Sequence, residues 1–270
     1  MSEDGLSVRL DEPLAAHLPL RTGGRCEAWV VAHTIEGLTR VVRECRRAKW
    51  PVRLIGAGTR TVARDGAHRG VVLRLGAALG EIRPGERWVV GASCPVPALV
   101  SAAEGEARGG LEAHAVVPGS VGASLRLDHG WDELVEAVWA ISRDAERELT
   151  LEEARRRKLI ITKVALRLPM LDSAGRRRLA KARALQRPVP SASVYSVPRK
   201  VSVREVLRSS VLERVRLRGI VIPAEAPELL VNIGGGSAAD ARLLQRSAID
   251  RARRVRGIEL RDRVDWIGGR

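Results

Sequence analysis

Residues 51–60 read PVRLIGAGTR, and this segment decides which class of fold the sequence favours. An apolar run that ends at Ile55 is typical of a buried β-strand, and it continues directly into a glycine turn at 56–58. Glycines after a strand let the backbone approach a phosphate group closely and leave amides to donate to it. Because the turn lacks the third glycine of GxGxxG and the lysine of a P-loop, an ordinary tight turn remains the alternative.

A strand and a helix precede this turn. Residues 27–32 form a short apolar run, and Thr34 is a suitable N-cap because its hydroxyl can accept from an unpaired first-turn amide. Ile35, Leu38 and Val42 follow at spacings of three and four, which places them on one buried stripe of a helix. Strand, helix, strand and glycine turn together predict a compact α/β unit.

Further elements follow along the chain. Apolar runs bounded by glycine or proline predict strands at 71–75, 88–92, 134–141, 159–168, 219–222 and 229–233, and apolar or alanine-rich periodicity predicts helices at 97–108, 176–187 and 237–256. A second glycine loop, PGSVG at 118–122, lies between them. Two such loops in one α/β domain are more informative than one, because a dinucleotide needs contacts from separate segments.

Composition excludes several classes of protein. With 45% apolar and 29% charged residues among 270, and no apolar stretch of about 20 residues, the chain is expected to be globular and not inserted in a membrane. No export signal opens the sequence, so we expect a cytoplasmic protein. Three cysteines without ligand spacing support neither a disulfide framework nor a metal site. The net charge of +15 attracts phosphates and nucleic acids, although an arginine-rich composition explains it equally well.

Seven short segments follow one another in a recognisable order. They are LRTGG at 20–24, LIGAGT at 54–59 with RDG at 64–66, residues 89–100, residues 111–122, PSASVYSVP at 190–198, residues 230–240 and GIEL at 257–260. In this order they resemble the motifs of the UDP-N-acetylenolpyruvoylglucosamine reductase (UDP-N-acetylmuramate dehydrogenase) family, among them "LGxGSN", "GIPGTVGG", "PSAGSxFKNP" and "GVxLEPEV". The resemblance covers most of the chain.

The resemblance implies an α+β fold, in which a two-part FAD-binding domain of the vanillyl-alcohol-oxidase-like (PCMH) type is followed by a smaller α/β substrate domain. We assign these to residues 1–172 and 190–270, with a basic helical linker at 173–189, because prolines break up the chain after residue 187. The implied cofactors are FAD and NADPH. The implied reaction is the reduction of a UDP-sugar, UDP-N-acetylglucosamine enolpyruvate, in bacterial peptidoglycan synthesis and cell wall biogenesis.

The resemblance also implies roles for individual residues. The cofactor-binding positions would be Gly56, Ala57, Gly58, Thr59, Arg60, Pro118, Gly119, Ser120, Val121 and Gly122. Ser193 matches the serine that delivers a proton, if one preceding glycine is deleted, and a plain turn hydroxyl is the alternative. Asn232 and Arg263 fall at substrate positions.

Several positions depart from the family pattern. Arg60 replaces an asparagine, and residues 127–130 read LDHG where the family has "MNAGAYG". Arg263 occupies the second glutamate of "LEPEV", which reverses the charge. The family's "FGYRxSxF" arginine segment is missing, and LEEARRRK at 151–158 stands there instead. One of its arginines could reach the substrate carboxylate, and a solvated basic helix is the alternative.

Three functional hypotheses therefore remain open at this point. The first is a reductase with an altered active site. The second is a catalytically silent homologue that acts as a flavin- or UDP-sugar-binding protein or as a regulatory protein. The third is a nonspecific nucleic-acid- or anion-binding protein that uses the basic residues at 155–158 and 176–187, although an aromatic content of only 3% argues against base stacking.

Overall fold

The computed structural model describes residues 5–115, 118–127, 130–184, 192–193, 195–196, 203–209, 215–224 and 226–268. The chain packs into two compact units, each built from several segments. The first unit comprises Met1–Leu10, Ala28–Ala57 and Gly70–Gln186, and the second comprises Asp11–Glu27, Gly58–Arg69 and Arg187–Arg270. The limits of the functional domains expected from the sequence stay a prediction.

Along the chain, helices separate groups of one to three or more strands. The strands are β1 Leu6–Pro13, β2 Arg25–Ala32, β3 Val52–Ile55, β4 Thr61–Ala63, β5 His68–Leu75, β6 Ile82–Arg83, β7 Trp88–Gly91, β8 Val135–Ser142, β9 Ala145–Leu149, β10 Ile160–Leu166, β11 Ala192–Ser193, β12 Tyr195–Ser196, β13 Arg216–Leu217, β14 Ile220–Val221, β15 Leu229–Asn232, β16 Arg261–Asp262 and β17 Asp265–Ile267. The helices are α1 Ile35–Arg47, α2 Val96–Gly105, α3 Val121–Leu127, α4 Leu151–Arg156, α5 Ser173–Arg183, α6 Val203–Ser209 and α7 Ala238–Arg256.

The first sheet contains the strand that leads into the glycine turn at 56–58. Its strand order is β1-β2-β5-β3, and β3 pairs in parallel with β5, so that Ile55 lies opposite Arg74. Helix α1 begins as the sequence predicts, because the Thr34 hydroxyl accepts a hydrogen bond from the Gly37 amide at 3.0 Å. Leu38 of α1 packs on the sheet in one apolar cluster. This packing fixes β3, and Gly56 follows at its end.

The second sheet of the first unit is antiparallel, with the order β6-β7-β10-β8-β9. Helices α2, α3 and α4 bury apolar residues in the core beneath it, among them Leu99, Val121, Leu125 and Leu151. The strands predicted at 134–141 and 159–168 appear as β8 and β10. The polar stretch between them also folds, into β9, which was not predicted, and α4, which lies where a basic helix was one of the predicted alternatives.

The second unit is built around its longest helix. The strands β11-β15-β14-β13 form one sheet, and α7 contributes Ala241, Leu244 and Ala248 to the core that also contains Ile220 and Leu230. Two further pairs complete it, β12 with β16 and β4 with β17. Strand β4 lies just after the first glycine turn and pairs in parallel with β17. The residues from Gly58 onward therefore belong to the second unit.

Two further features of the fold concern the cysteines and the helices. Cys26, Cys45 and Cys94 are buried free thiols, and burial raises the pKa of the Cys94 thiol to about 11, so it stays protonated at neutral pH. Among the described residues, the helices are all too short or too polar to cross a membrane.

Candidate active site

The two glycine loops of the first unit meet at Gly56 and Ser120. A β-carbon added to Gly56 would lie 2.6 Å from the Ser120 Oγ and 3.3 Å from the Ala123 Cβ. Both distances are too short for ordinary van der Waals contact, so glycine is the residue that lets the two loops approach this closely. The sequence predicts that both loops contact one dinucleotide, and in the structure the two loops lie side by side.

Backbone hydrogen bonds hold the second loop in place. The Val96 amide donates to the Gly119 carbonyl, while the Val121 and Gly122 amides donate to the carbonyls of Cys94 and Ala92, each at 2.9 Å. These bonds tie residues 119–122 to the connection between β7 and α2. The loop conformation therefore depends on the backbone of a neighbouring segment.

Two amides of the second loop remain as donors. The N–H groups of Gly119 and Ser120 donate to no acceptor among the described residues, although Ser120 is only 7% exposed. A buried amide without an acceptor is costly, and adjacent amides in a turn form a concave site for anions. Together with the close backbone approach at Gly56, these donors fit the diphosphate of a dinucleotide such as FAD.

Comparison with known proteins agrees with this arrangement. Residues 26–130 match the FAD binding domain family. The UDP-N-acetylenolpyruvoylglucosamine reductase of Listeria monocytogenes serovar 1/2a is 27% identical over 97% of this chain and 96% of its own length. The reductase of Rubrobacter xylanophilus is 28% identical over 97% of this chain and 96% of its own length. The crystal structure of the reductase from Thermus caldophilus superposes with a TM-score of 0.79 at 23% identity, covering 97% of this chain and 99% of that one.

Together these comparisons support the resemblance of the chain, over nearly its whole length, to the UDP-N-acetylenolpyruvoylglucosamine reductase family. The predicted fold class is thereby confirmed, as an α+β protein with an FAD-binding part of the PCMH type and a smaller C-terminal α/β part. FAD, predicted from the resemblance, is the cofactor of this class of domain.

In the first glycine loop, Ala57 lies in the first unit with Gly56, and Gly58, Thr59 and Arg60 lie in the second unit. Gly58 has a φ of +74°, and an added β-carbon would lie 2.9 Å from Leu18 Cδ2, so both its backbone conformation and its packing favour glycine. Its carbonyl accepts from the Thr61 amide at 3.0 Å, which closes a tight turn. This turn leads through Thr59 to Arg60.

Arg60 is bound to the segment that carries Arg263. Its carbonyl accepts from the Asp265 amide at 2.7 Å, and its Nη2 donates to the Arg263 carbonyl at 3.2 Å. Two positions at which this chain departs from the reductase family are therefore in direct contact, although 203 residues separate them. The exchange of asparagine for arginine at 60 supplies the donor of this contact.

The turn between β16 and β17 carries Arg263, at the position where the resemblance predicts the family's glutamate. The Arg263 side chain is exposed and makes no ion pair within the described part of the chain. The neighbouring carboxylate of Asp262 accepts hydrogen bonds from Gln245 Nε2 at 2.7 Å, the Val264 amide at 2.8 Å and Trp266 Nε1 at 3.2 Å. Asp262 thus holds the turn through three hydrogen bonds.

The predicted substrate residue Asn232 makes four hydrogen bonds to backbone groups. Its Nδ2 donates to the carbonyls of Leu20 and Gly236, both at 3.1 Å. Its Oδ1 accepts from the amides of Gly234 at 3.0 Å and Gly236 at 3.2 Å. These contacts shape the glycine loop at 234–236. A role in binding substrate stays a prediction.

Ser193 lies in β11, where it is in register with Leu229 of β15. Its side chain lies outside the described part of the structure, as do Pro190, Val194 and Pro198 of the same motif. The proton-delivering role of Ser193 therefore stays a prediction.

The three arginines of the altered segment lie on or next to α4. Arg155 binds the Leu125 carbonyl and Asp132, and Arg157 binds Glu153 and Ser142. Arg156 is exposed and has no hydrogen bond or ion pair among the described residues. Two of the three are therefore engaged by protein groups, which the sequence alone could not distinguish.

Asp65 is a residue whose role sequence analysis missed. Its two carboxylate oxygens accept from the amides of Ala238 and Ala239, at 3.2 and 3.1 Å. These amides belong to the first turn of α7, where a negative charge is favourable. The RDG motif that contains Asp65 was recognised, but nothing local in the sequence indicates a contact 173 residues away.

Proposed function

We propose that this protein binds FAD noncovalently and uses NADPH to reduce UDP-N-acetylenolpyruvoylglucosamine, in bacterial peptidoglycan precursor synthesis in the cytoplasm. The observation that carries the proposal is the pair of donor amides at Gly119 and Ser120 beside the close approach of Gly56. A cofactor site made of backbone groups does not depend on the side chains that have changed in this chain. The relatives named above support the choice of substrate.

The chain contributes binding, orientation and a proton. When bound, FAD supplies hydride transfer between NADPH and the enolpyruvyl carbon. The amides of Gly119 and Ser120 hold the diphosphate, and the Ser193 hydroxyl is the proposed proton donor to the neighbouring carbon. Arg263 places a guanidinium, which is a hydrogen-bond donor, where the family pattern has a carboxyl group. Its proposed role is to bind the substrate, without the acid–base function of the glutamate that the family pattern has at this position.

A second candidate function is favoured by the turn at 262–266. The glutamate of the family is an arginine here, and Asp262 is fully engaged in structural hydrogen bonds. A protein of this kind would bind flavin or a UDP-sugar without turning it over, as a binding or regulatory protein.

One experiment separates these candidates. The purified protein is incubated with FAD and desalted, and its absorbance is measured near ~450 nm, where protein-bound flavin absorbs. NADPH oxidation is then followed with and without the enolpyruvyl UDP-sugar. Retained flavin with substrate-dependent oxidation supports the reductase, and retained flavin without it supports the binding protein. Complete loss of flavin on desalting would refute the reductase.

A further inference from the structure

The side chain of Arg155 is held inside the first unit although it comes from a short, basic helix. Helix α4 begins after Thr150, whose hydroxyl accepts from the Glu153 amide at 3.1 Å, and it buries Leu151 and Ala154. These two residues belong to the same core as Leu125 of α3. Helices α3 and α4 therefore share one apolar core, and the Arg155 side chain is only 16% exposed.

The guanidinium of Arg155 joins two segments. Its Nε donates to the Leu125 carbonyl at 2.6 Å, and its Nη1 donates to Asp132 Oδ1 at 2.7 Å. The Leu125 carbonyl belongs to the last turn of α3, where carbonyls lack helical partners and a positive charge is favourable. Hydrogen bonds with one charged partner are stronger than those between neutral groups. Arg155 thus fixes the C-terminal end of α3.

The second partner of Arg155 is itself anchored. Asp132 follows Trp131, which is fully buried and stacks on the His114 ring with 4.8 Å between the ring centroids. The Trp131 carbonyl accepts from the amides of Leu134 and Val135, at 2.9 and 3.2 Å. Arg155 therefore connects α3 to the segment that follows the buried Trp131, through an Asp132 side chain that is 46% exposed.

The other end of α3 leads into the proposed diphosphate loop. The helix starts at Val121, and its first turn includes the Ser124 amide, which donates to the Ser120 carbonyl at 3.0 Å. Since α3 has only 7 residues, a displacement at Leu125 changes the position of Ser120. We infer that Arg155 is a positioning residue that holds the donor amides of Gly119 and Ser120 against Gly56, an inference that rests on the FAD binding proposed above.

The neighbouring arginines provide the contrast. Arg156 is exposed and unpaired in the part of the chain that the structure describes, and Arg157 forms an ion pair with Glu153 on its own helix. Among the described residues, neither side chain forms a hydrogen bond or an ion pair with α3. All three arginines carry the same charge and lie on or directly after α4. A variant of Arg155 that behaves differently from a variant of Arg156 therefore reports the contacts of Arg155, because both variants lose one positive charge.

The test compares Arg155→Met with the matched control Arg156→Met in the full-length protein. FAD affinity is measured by titration of the flavin absorbance, the bound flavin is examined by visible circular dichroism, and hydrogen exchange is measured for the amides of residues 121–127. We expect Arg155→Met to weaken FAD binding on the order of tenfold, as for loss of charge-assisted hydrogen bonds. Exchange in α3 and the dichroism of the flavin should change with it, while Arg156→Met matches the wild type.

Two further variants guard against simple misfolding. Asp132→Asn keeps the shape of the site and removes the charge of the partner, so it should produce a smaller loss of the same kind. Arg155→Lys keeps one donor and should restore part of the affinity. Equal FAD affinity and equal exchange in Arg155→Met and Arg156→Met would overturn the inference. A wild-type protein that binds no FAD would instead refute the proposed function, and this inference with it.

Discussion

The loop at 118–122 and the turn at 262–266 build their parts of the expected site in different ways. The loop offers backbone amides, whose positions depend on glycines and on carbonyls of the β7–α2 connection. The turn offers side chains, and there the expected glutamate is Arg263. The backbone-built part does not depend on the identity of exposed side chains, whereas the side-chain-built part carries a charge opposite to the one that the family pattern predicts. Divergence has therefore affected the proposed chemistry more than the proposed cofactor binding.

The largest expected effect comes from restoring the carboxylate at the turn. Arg263→Glu should raise substrate-dependent NADPH oxidation by about a hundredfold, because an acid–base group contributes on the order of 10² or more in rate. Arg263→Gln removes the cation without adding an acid and should not show this gain. Arg261→Glu adds the same charge at a nearby exposed position and serves as the control. An unchanged kcat in Arg263→Glu would show that the turn does not limit the chemistry.

The next effect tests the loop. Gly56→Ala places a methyl group 2.6 Å from Ser120 Oγ, and overpacking of this kind costs about 1–3 kcal/mol, so FAD affinity should fall at least about fivefold. The double variant Gly56→Ala/Ser120→Ala removes the clashing oxygen, and the Ser120 Cβ at 3.7 Å leaves room. It should recover part of the affinity, as measured by flavin titration. If Ser120→Ala brings no recovery, the contact between the loops does not control binding.

Local patterns in the sequence predicted much of this fold. Three of its features depend on residues close together in the sequence, and each is present in the structure. They are the Thr34 cap, the apolar stripe of α1 and the apolar runs that form β8 and β10. The pairing of β4 with β17 is different, because strands of three residues carry no periodic signal. The contact of Arg60 with Arg263 was likewise invisible, since it joins distant segments.

The candidate site divides in the same manner. The glycines of both loops are recognisable in the sequence, because a backbone that must approach another backbone needs them. Which amides remain unpaired depends on carbonyls elsewhere in the fold, such as those of Cys94 and Ala92. The engagement of Asp262 and Asn232 in structural hydrogen bonds also required the coordinates.

A smaller effect concerns how the first glycine loop continues into the second unit. Asp65→Ala removes the acceptor for two first-turn amides of α7, and loss of such a cap lowers the free energy of unfolding by about 1–2 kcal/mol. Asp65→Asn keeps one acceptor oxygen and should lose less. Asp250→Ala, an exposed position on the same helix, is the control. Chemical denaturation measures all three, and equal stability of Asp65→Ala and Asp250→Ala would show that Asp65 does not anchor the loop to α7.

The smallest effect concerns Asp240, at the start of α7, and how the stability of the protein responds to pH. Hydrogen bonds from the Ser237 amide and hydroxyl hold the pKa of Asp240 below its ordinary value. A carboxylate with a lowered folded-state pKa stabilises the protein above its unfolded pKa, and this stability is lost as the pH falls through the folded pKa. Unfolding free energy should therefore decline below about pH 4, and decline less in Ser237→Ala, where the hydroxyl donor is absent. Parallel curves for Ser237→Ala and the wild type would mean that the Ser237 hydroxyl does not set this pKa, and that acid sensitivity arises at other carboxylates.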